Sequence, residues 1–241
     1  MKYTKADYYG RTMYEFELDG RAAKLVIPEN PAEGKPWLLK TEYFWAFPSF
    51  ELAMLERGFY VAYVENKTRW HHPSDDVAKH SLNEFLQKEF GLNSKCIPVG
   101  MSCGGLQAIY YANKFPEDIA GLYLDAPVCN FLSCPGSVGA SNGNFMEEFT
   151  KNTGMTLTDL INYRNHPIDN LDEIIKRQIP VFLVCGDSDN TVPFLENGAA
   201  LYDKISNGGG KIEKIVKEGC DHHPHGLDDP SPLVNWALSL Y

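Results

Sequence analysis

The stretch Ile97 to Gly105, Ile-Pro-Val-Gly-Met-Ser-Cys-Gly-Gly, places the tightest constraint on how this chain of 241 residues can fold. An apolar run ends in Gly-x-Ser-x-Gly, and a helix-compatible segment, Leu106 to Lys114, follows at once. A strand that turns directly into a helix across one serine leaves little room at its flanks. Glycine two positions either side lets the neighbouring backbone close in. Ser102 is then held in a strained conformation at the apex, with Oγ clear of the sheet and near a helix N-terminus whose dipole favours negative charge. An inert glycine-rich turn is the plain alternative, and the choice depends on partners elsewhere in the chain.

The rest of the sequence supplies a frame for such a turn. Arg11–Phe16 and Ala22–Ile27 read as short strands around the hairpin dipeptide Asp19-Gly20. Trp37–Lys40 is a strand, and a helix capped by Ser49 runs to Arg57 and stops at Gly58. Phe59–Val64 is a strand, and the next helix carries Val77–Phe90, with Ser74 or Asp75 as its cap and Gly91 after its end. Further strands are expected at Ile119–Leu124, Ile179–Cys185 and Ile212–Val216, with helices at Glu196–Ile205 and Pro232–Leu240. Between 128 and 178 the pattern weakens to two helical patches, Gly143–Thr150 and Thr156–Tyr163. Apolar strands alternating with helices imply an α/β fold: a mostly parallel sheet, covered on both faces, with an antiparallel start. We expect one domain over 1–241, with 128–178 as a lid-like insertion.

Ligands of such sheets bind beyond the carboxyl ends of the strands. Ser102, Asp189 and His222 each follow an expected strand, so the fold would gather them at one edge. A serine hydroxyl needs a base to take its proton. Imidazole titrates near neutrality and serves as base, then acid, while a carboxylate holds its tautomer. Asp187 and Asp125 compete for the role of acid, and His223 and His225 for that of base.

Gly-Met-Ser-Cys-Gly-Gly at 100–105, Leu-Asp-Ala-Pro-Val at 124–128, Gly-Asp-Ser-Asp-Asn-Thr-Val-Pro at 186–193 and His-His-Pro-His at 222–225 resemble the α/β-hydrolases. The likeness is to the serine esterase and prolyl-oligopeptidase-like branch and covers nearly the whole chain. It implies a triad of Ser102, Asp189 and His222 and a hydrolase needing no cofactor. Asp221 departs from the pattern, standing where glycine is common. The oxyanion donors implied are the amide of Cys103 and one from Glu42 or Tyr43, where Lys40-Thr41-Glu42 replaces the usual His-Gly. The Glu42 carboxylate either enters the site or pairs with Lys40 or Arg69.

Tyr43, Phe44, Trp45, Phe47, Trp70, His71 and His72 are candidates for a substrate pocket or for the core. Cys103 is expected to face away from the serine. The cluster His222-His223-Pro224-His225 with Asp228 and Asp229 lacks the spacing of zinc ligands, so no metal is expected. The formal charge of −10 argues against nucleic acid or anionic membrane as partner. The N-terminus has no apolar signal-like stretch, and no apolar run approaches the length of a membrane helix. The six cysteines have no C-x-x-C pair and fit reduced thiols, although a Cys129–Cys134 bridge is conceivable, so a cytoplasmic setting is expected. The leading expectation is hydrolysis of a small carboxylic ester. The alternatives are a peptidase or acylaminoacyl hydrolase, whose usual propeller has no room in this length, and a ligand-binding module that has lost its chemistry.

Overall fold

An antiparallel meander opens the chain: β1 (Thr4–Tyr8), β2 (Arg11–Leu18) and β3 (Arg21–Val26). Its turns, Tyr9-Gly10 and Asp19-Gly20, have positive φ at both residues, which matches the twist of the flanking strands. The sequence does not announce β1, because only Tyr8 of it is buried. The structure is a computed structural model that describes residues 2–241.

Strands and helices then alternate through β4 (Trp37–Lys40), α1 (Ser49–Glu56), β5 (Tyr60–Val64), α2 (Pro73–Phe90), β6 (Ile97–Met101), α3 (Cys103–Lys114) and β7 (Leu122–Asp125). Three short helices follow, α4 (Met146–Thr153), α5 (Leu157–Asn162) and α6 (Asp172–Lys176). The chain ends with β8 (Val181–Gly186), α7 (Gly198–Asn207), β9 (Ile212–Lys217) and α8 (Ser231–Leu238). Two expected caps differ. Pro48, without a side-chain bond, precedes α1, and Ser49 is already helical. α2 is capped by His72, which accepts from Ser74 N–H while the Asp75 carboxylate accepts from His72 N–H. The Gly91 end is as expected, left-handed at φ 66°.

Among the described residues the nine strands share one sheet, in the order β1-β2-β3-β5-β4-β6-β7-β8-β9, and the strands from β5 across to β9 run parallel. Both faces are packed. On one face Trp37 and Leu39 of β4 belong to the same apolar cluster as Leu82 and Leu86 of α2, Ile109 of α3 and Leu201 of α7, while on the other Leu38 joins Phe50 and Met54 of α1 and Leu233 of α8. Burial on both faces is why these strands read as unbroken apolar runs. From β4 the chain moves to one side of the sheet and from β6 to the other, which opens a crevice at their carboxyl ends. Ser102 sits there.

The 128–178 excursion is fastened over that crevice by a third apolar cluster. Phe131, Phe149 and Leu160 pack with Trp70, Leu106 and Tyr110. Each such fully buried side chain contributes about 1.5–3 kcal/mol, enough to hold a segment with few backbone ties to the sheet. Cys129 and Cys134 are both free thiols, as are the other four cysteines. No helix among the described residues is long and apolar enough to cross a membrane.

Candidate active site

At the apex of the turn Ser102 has φ 52° and ψ −120°, a strained backbone for any residue with a side chain. Its amide donates to Asp125 O (2.9 Å), and its carbonyl accepts from Gly105 N (2.9 Å) and Val128 N (3.0 Å). The flanking glycines are required by space. A Cβ on Gly105 would lie 2.3 Å from Pro127 Cβ, and one on Gly100 would lie 2.6 Å from Gly104 O. The strain is therefore held by close backbone packing on both sides. α3 begins at Cys103, three residues before the expected Leu106, because the turn itself is the first turn of the helix.

The structure brings Ser102, Asp189 and His222 together. His222 Nδ1 donates to Asp189 Oδ2 at 2.7 Å, and His222 Nε2 lies 3.0 Å from Ser102 Oγ. A carboxylate only accepts, so Nδ1 carries the proton and Nε2 presents a lone pair to the hydroxyl. Asp189 is immobilised through its other oxygen, which accepts from Thr191 N (2.9 Å) and Val192 N (2.8 Å). Asp189 and His222 are both buried.

The competitors have other partners. Asp187 Oδ1 accepts from Gly219 N (2.7 Å) at the start of the histidine loop. Asp125 accepts from His225 Nδ1 (2.6 Å), Gly226 N (2.8 Å) and Tyr123 OH (2.8 Å). His223 stacks on Phe47, and burial together with the neighbouring histidines lowers its pKa from the ordinary value. Asp221 ties the two functional loops together, accepting from Asn190 N (3.0 Å) and His222 N (2.7 Å). Those two amides hold its carboxyl below the usual range. Glycine could not make this link.

Cys103 carries its amide at the N-terminus of α3, where N–H groups lack intrahelical acceptors. Across the crevice Tyr43 N donates to Glu42 Oε1 (3.3 Å), and Glu42 Oε2 accepts from Asn66 Nδ2 (2.8 Å). Neither expected ion pair of Glu42 forms, because Lys40 pairs with buried Glu51 and Arg69 with Glu148. Tyr43 faces the cavity and Glu42 does not line it.

That cavity, of about 360 Å³, has among its lining residues Tyr43, Phe47, Arg69, Trp70, Met101 and Ser102, together with Cys103, Cys134, Phe145, Val192 and three histidines. Trp70 is a lining residue; Phe44 and Trp45 are not. Phe44 is buried against Tyr8 and Tyr63, and Trp45 is half exposed on Tyr8 and Tyr9. Tyr43, at φ 51°, turns the chain so that the next two rings leave the crevice. His71 and His72 also turn away, His71 onto Tyr110 and Asp76 and His72 to its capping role. Cys103 also borders the cavity, and burial pushes its thiol up to about 12, so it stays protonated at neutral pH.

Arg69 is a lining residue the sequence does not single out. It pairs with Glu148 of α4, reaches Tyr43 OH at 3.3 Å and lies over the Trp70 and Phe145 rings. Phe145 and Cys134 come from the excursion, whose weak patterning hid them.

This sheet, with its turn-borne serine, imidazole and carboxylate, defines a serine hydrolase of the α/β-hydrolase fold. The family model that matches the chain, over residues 45–236, is the prolyl oligopeptidase family. The chain belongs to that family. No curated protein matches it by sequence. Among solved structures it is similar to a puromycin hydrolase (TM-score 0.71, 17% identity), covering 100% of this chain and 38% of that one. It is also similar to the acylaminoacyl peptidase of Pyrococcus horikoshii (0.69, 16%), covering 92% and 38%, and to Porphyromonas gingivalis dipeptidyl peptidase 4 (0.67, 14%), covering 99% and 35%. The chain thus spans little more than a third of the length of these proteins.

Proposed function

We propose that the protein hydrolyses carboxylic esters of small substrates through an acyl-enzyme. The observation that carries this reading is the unbroken hydrogen-bond line Asp189–His222–Ser102, 2.7 and 3.0 Å, beside the cavity. Ser102 Oγ attacks the acyl carbon as its proton passes to His222 Nε2. The imidazolium, oriented by Asp189, returns that proton to the departing alkoxide. Water, deprotonated by the same imidazole, then releases the acid and regenerates the serine. The negative oxygen of each tetrahedral intermediate is held by the amides of Cys103 and Tyr43. The Glu42 carboxylate, now on the Tyr43 amide, yields that position when the oxyanion forms.

A cavity of about 360 Å³ is at the small end of ligand pockets, and its Trp70, Phe145 and Val192 walls suit an apolar acyl or aryl group. The segment 128–178 acts as its roof, within a single domain. Six free thiols support a reducing, cytoplasmic setting. A peptidase or acylaminoacyl hydrolase is the second reading, favoured by the family and by two of the structural relatives.

A fluorophosphonate probe is expected to label the wild type and not Ser102→Ala, whose turnover falls by about 10⁶-fold. Absence of label on both would refute the triad reading. Comparing kcat/KM for p-nitrophenyl acetate and for an aminoacyl p-nitroanilide separates ester from peptide. A larger value for the anilide would overturn the ester assignment.

A further inference from the structure

Three imidazoles meet at the cavity, although the triad uses one. The rings of His222, His223 and His225 lie at the corners of a near-equilateral triangle, with each pair of centroids 4.9 Å apart and interplanar angles of 62°, 79° and 89°. One ring nitrogen from each lies within 4.8 Å of the others, and all three rings border the same cavity. Linear spacing gave no hint of this, because the loop folds back on itself between Cys220 and Gly226.

Two of these rings are oriented as metal ligands commonly are. His222 and His225 each give Nδ1–H to a buried carboxylate, Asp189 at 2.7 Å and Asp125 at 2.6 Å. A carboxylate on one nitrogen sets the tautomer and raises the basicity of the other, as in carboxylate–histidine–metal arrangements. His223 is the exposed member, so it can move the remaining distance. Metal–nitrogen bonds of about 2.0–2.1 Å in a tetrahedral site need nitrogens somewhat closer together than they now lie.

We propose that His222, His223 and His225 form a three-imidazole site for a borderline divalent metal ion, Zn²⁺ foremost, whose binding inhibits the hydrolase. All-imidazole donors suit zinc, copper and nickel and are poor ligands for calcium or magnesium. The metal takes the Nε2 lone pair of His222, so Ser102 loses its base. The inhibition rests on the hydrolase reading above; the binding does not.

The test therefore begins with the Ser102→Ala protein and Zn²⁺ alone, by calorimetry, with Co²⁺ absorption as a second probe. One ion per chain is expected. His223→Gln and His225→Gln each weaken binding at least tenfold, and Asp125→Asn weakens it by about 10–100-fold. Cys220→Ser, a control for the one partly exposed thiol, leaves binding unchanged. In the wild type, Zn²⁺ slows fluorophosphonate labelling of Ser102 and a chelator restores it. Stoichiometric binding without any labelling would support the site while the hydrolase reading fails. Labelling that Zn²⁺ does not slow, a Kd weaker than about 1 mM, or binding that survives both histidine substitutions overturns the proposal.

Discussion

Two aspartate–histidine pairs lie side by side in this molecule. Asp189–His222 and Asp125–His225 are both buried, have Nδ1–carboxylate distances of 2.7 and 2.6 Å, and place their rings 4.9 Å apart. Their surroundings differ. Asp189 lies in the loop after β8, its second oxygen fixed by two amides of its own loop, and its histidine reaches a hydroxyl. Asp125 is the last residue of β7, and it holds two structures in register. Its carbonyl accepts Ser102 N–H, while its carboxylate accepts from His225 and Gly226 of the histidine loop. A carboxylate–imidazole pair is thus not catalytic by itself; what meets the second ring nitrogen decides. In the proposed reaction one pair serves the chemistry, while the other ties the serine turn to the histidine loop.

Substitutions should separate the two pairs. Asp189→Asn keeps the volume but favours the wrong tautomer of His222, and kcat is expected to fall by about 10⁴-fold with little change in unfolding free energy. Asp125→Asn is expected to cost about 1–3 kcal/mol in urea unfolding, because the amide that replaces one carboxylate oxygen cannot accept from all of His225 Nδ1, Gly226 N and Tyr123 OH, while kcat of the folded protein drops less than it does in Asp189→Asn. Equal losses of kcat in the two variants would erase the distinction.

Much of this frame was legible in the sequence. β4 and β6 are covered on both faces, so their apolar runs have sharp ends, and Ser102, Asp189 and His222 follow strands by only a few residues. β1 was not legible, since an edge strand with one buried side is as polar as a loop. His72 was not legible as a cap because its ring nitrogen substitutes for the usual oxygen. Phe44 and Trp45 misled for a different reason. Aromatic composition does not reveal the positive φ at Tyr43 that sends them to the far side. The Asp125–His225 pair joins residues 100 positions apart, a contact that only the assembled sheet creates.

Two smaller effects test the parts around the pairs. Gly105→Ala drives a methyl into Pro127, and overpacking is expected to cost about 1–3 kcal/mol in urea unfolding while also lowering activity, because Ser102 sits on the same turn. Asp75 is a buried carboxylate paired with Arg21 (2.7 Å) instead of a histidine. Burial alone would raise its pKa, but the Lys67 amide, Lys79 and Arg21 outweigh burial and lower it. The unfolded chain therefore takes up its proton first as the pH falls. The stabilisation from Asp75 is complete above about pH 4 and is lost through the more acid range. Acid unfolding followed by circular dichroism should show a shallower loss of stability in Asp75→Asn, with activity near neutrality retained.

The most direct measurement is the capture of the covalent intermediate. Rapid acid quench during turnover of p-nitrophenyl acetate, followed by peptide mass spectrometry, should find the acetyl group on Ser102 and none in Ser102→Ala. An acetyl group carried by Cys103 or His222 instead, or full turnover by Ser102→Ala, would contradict the account.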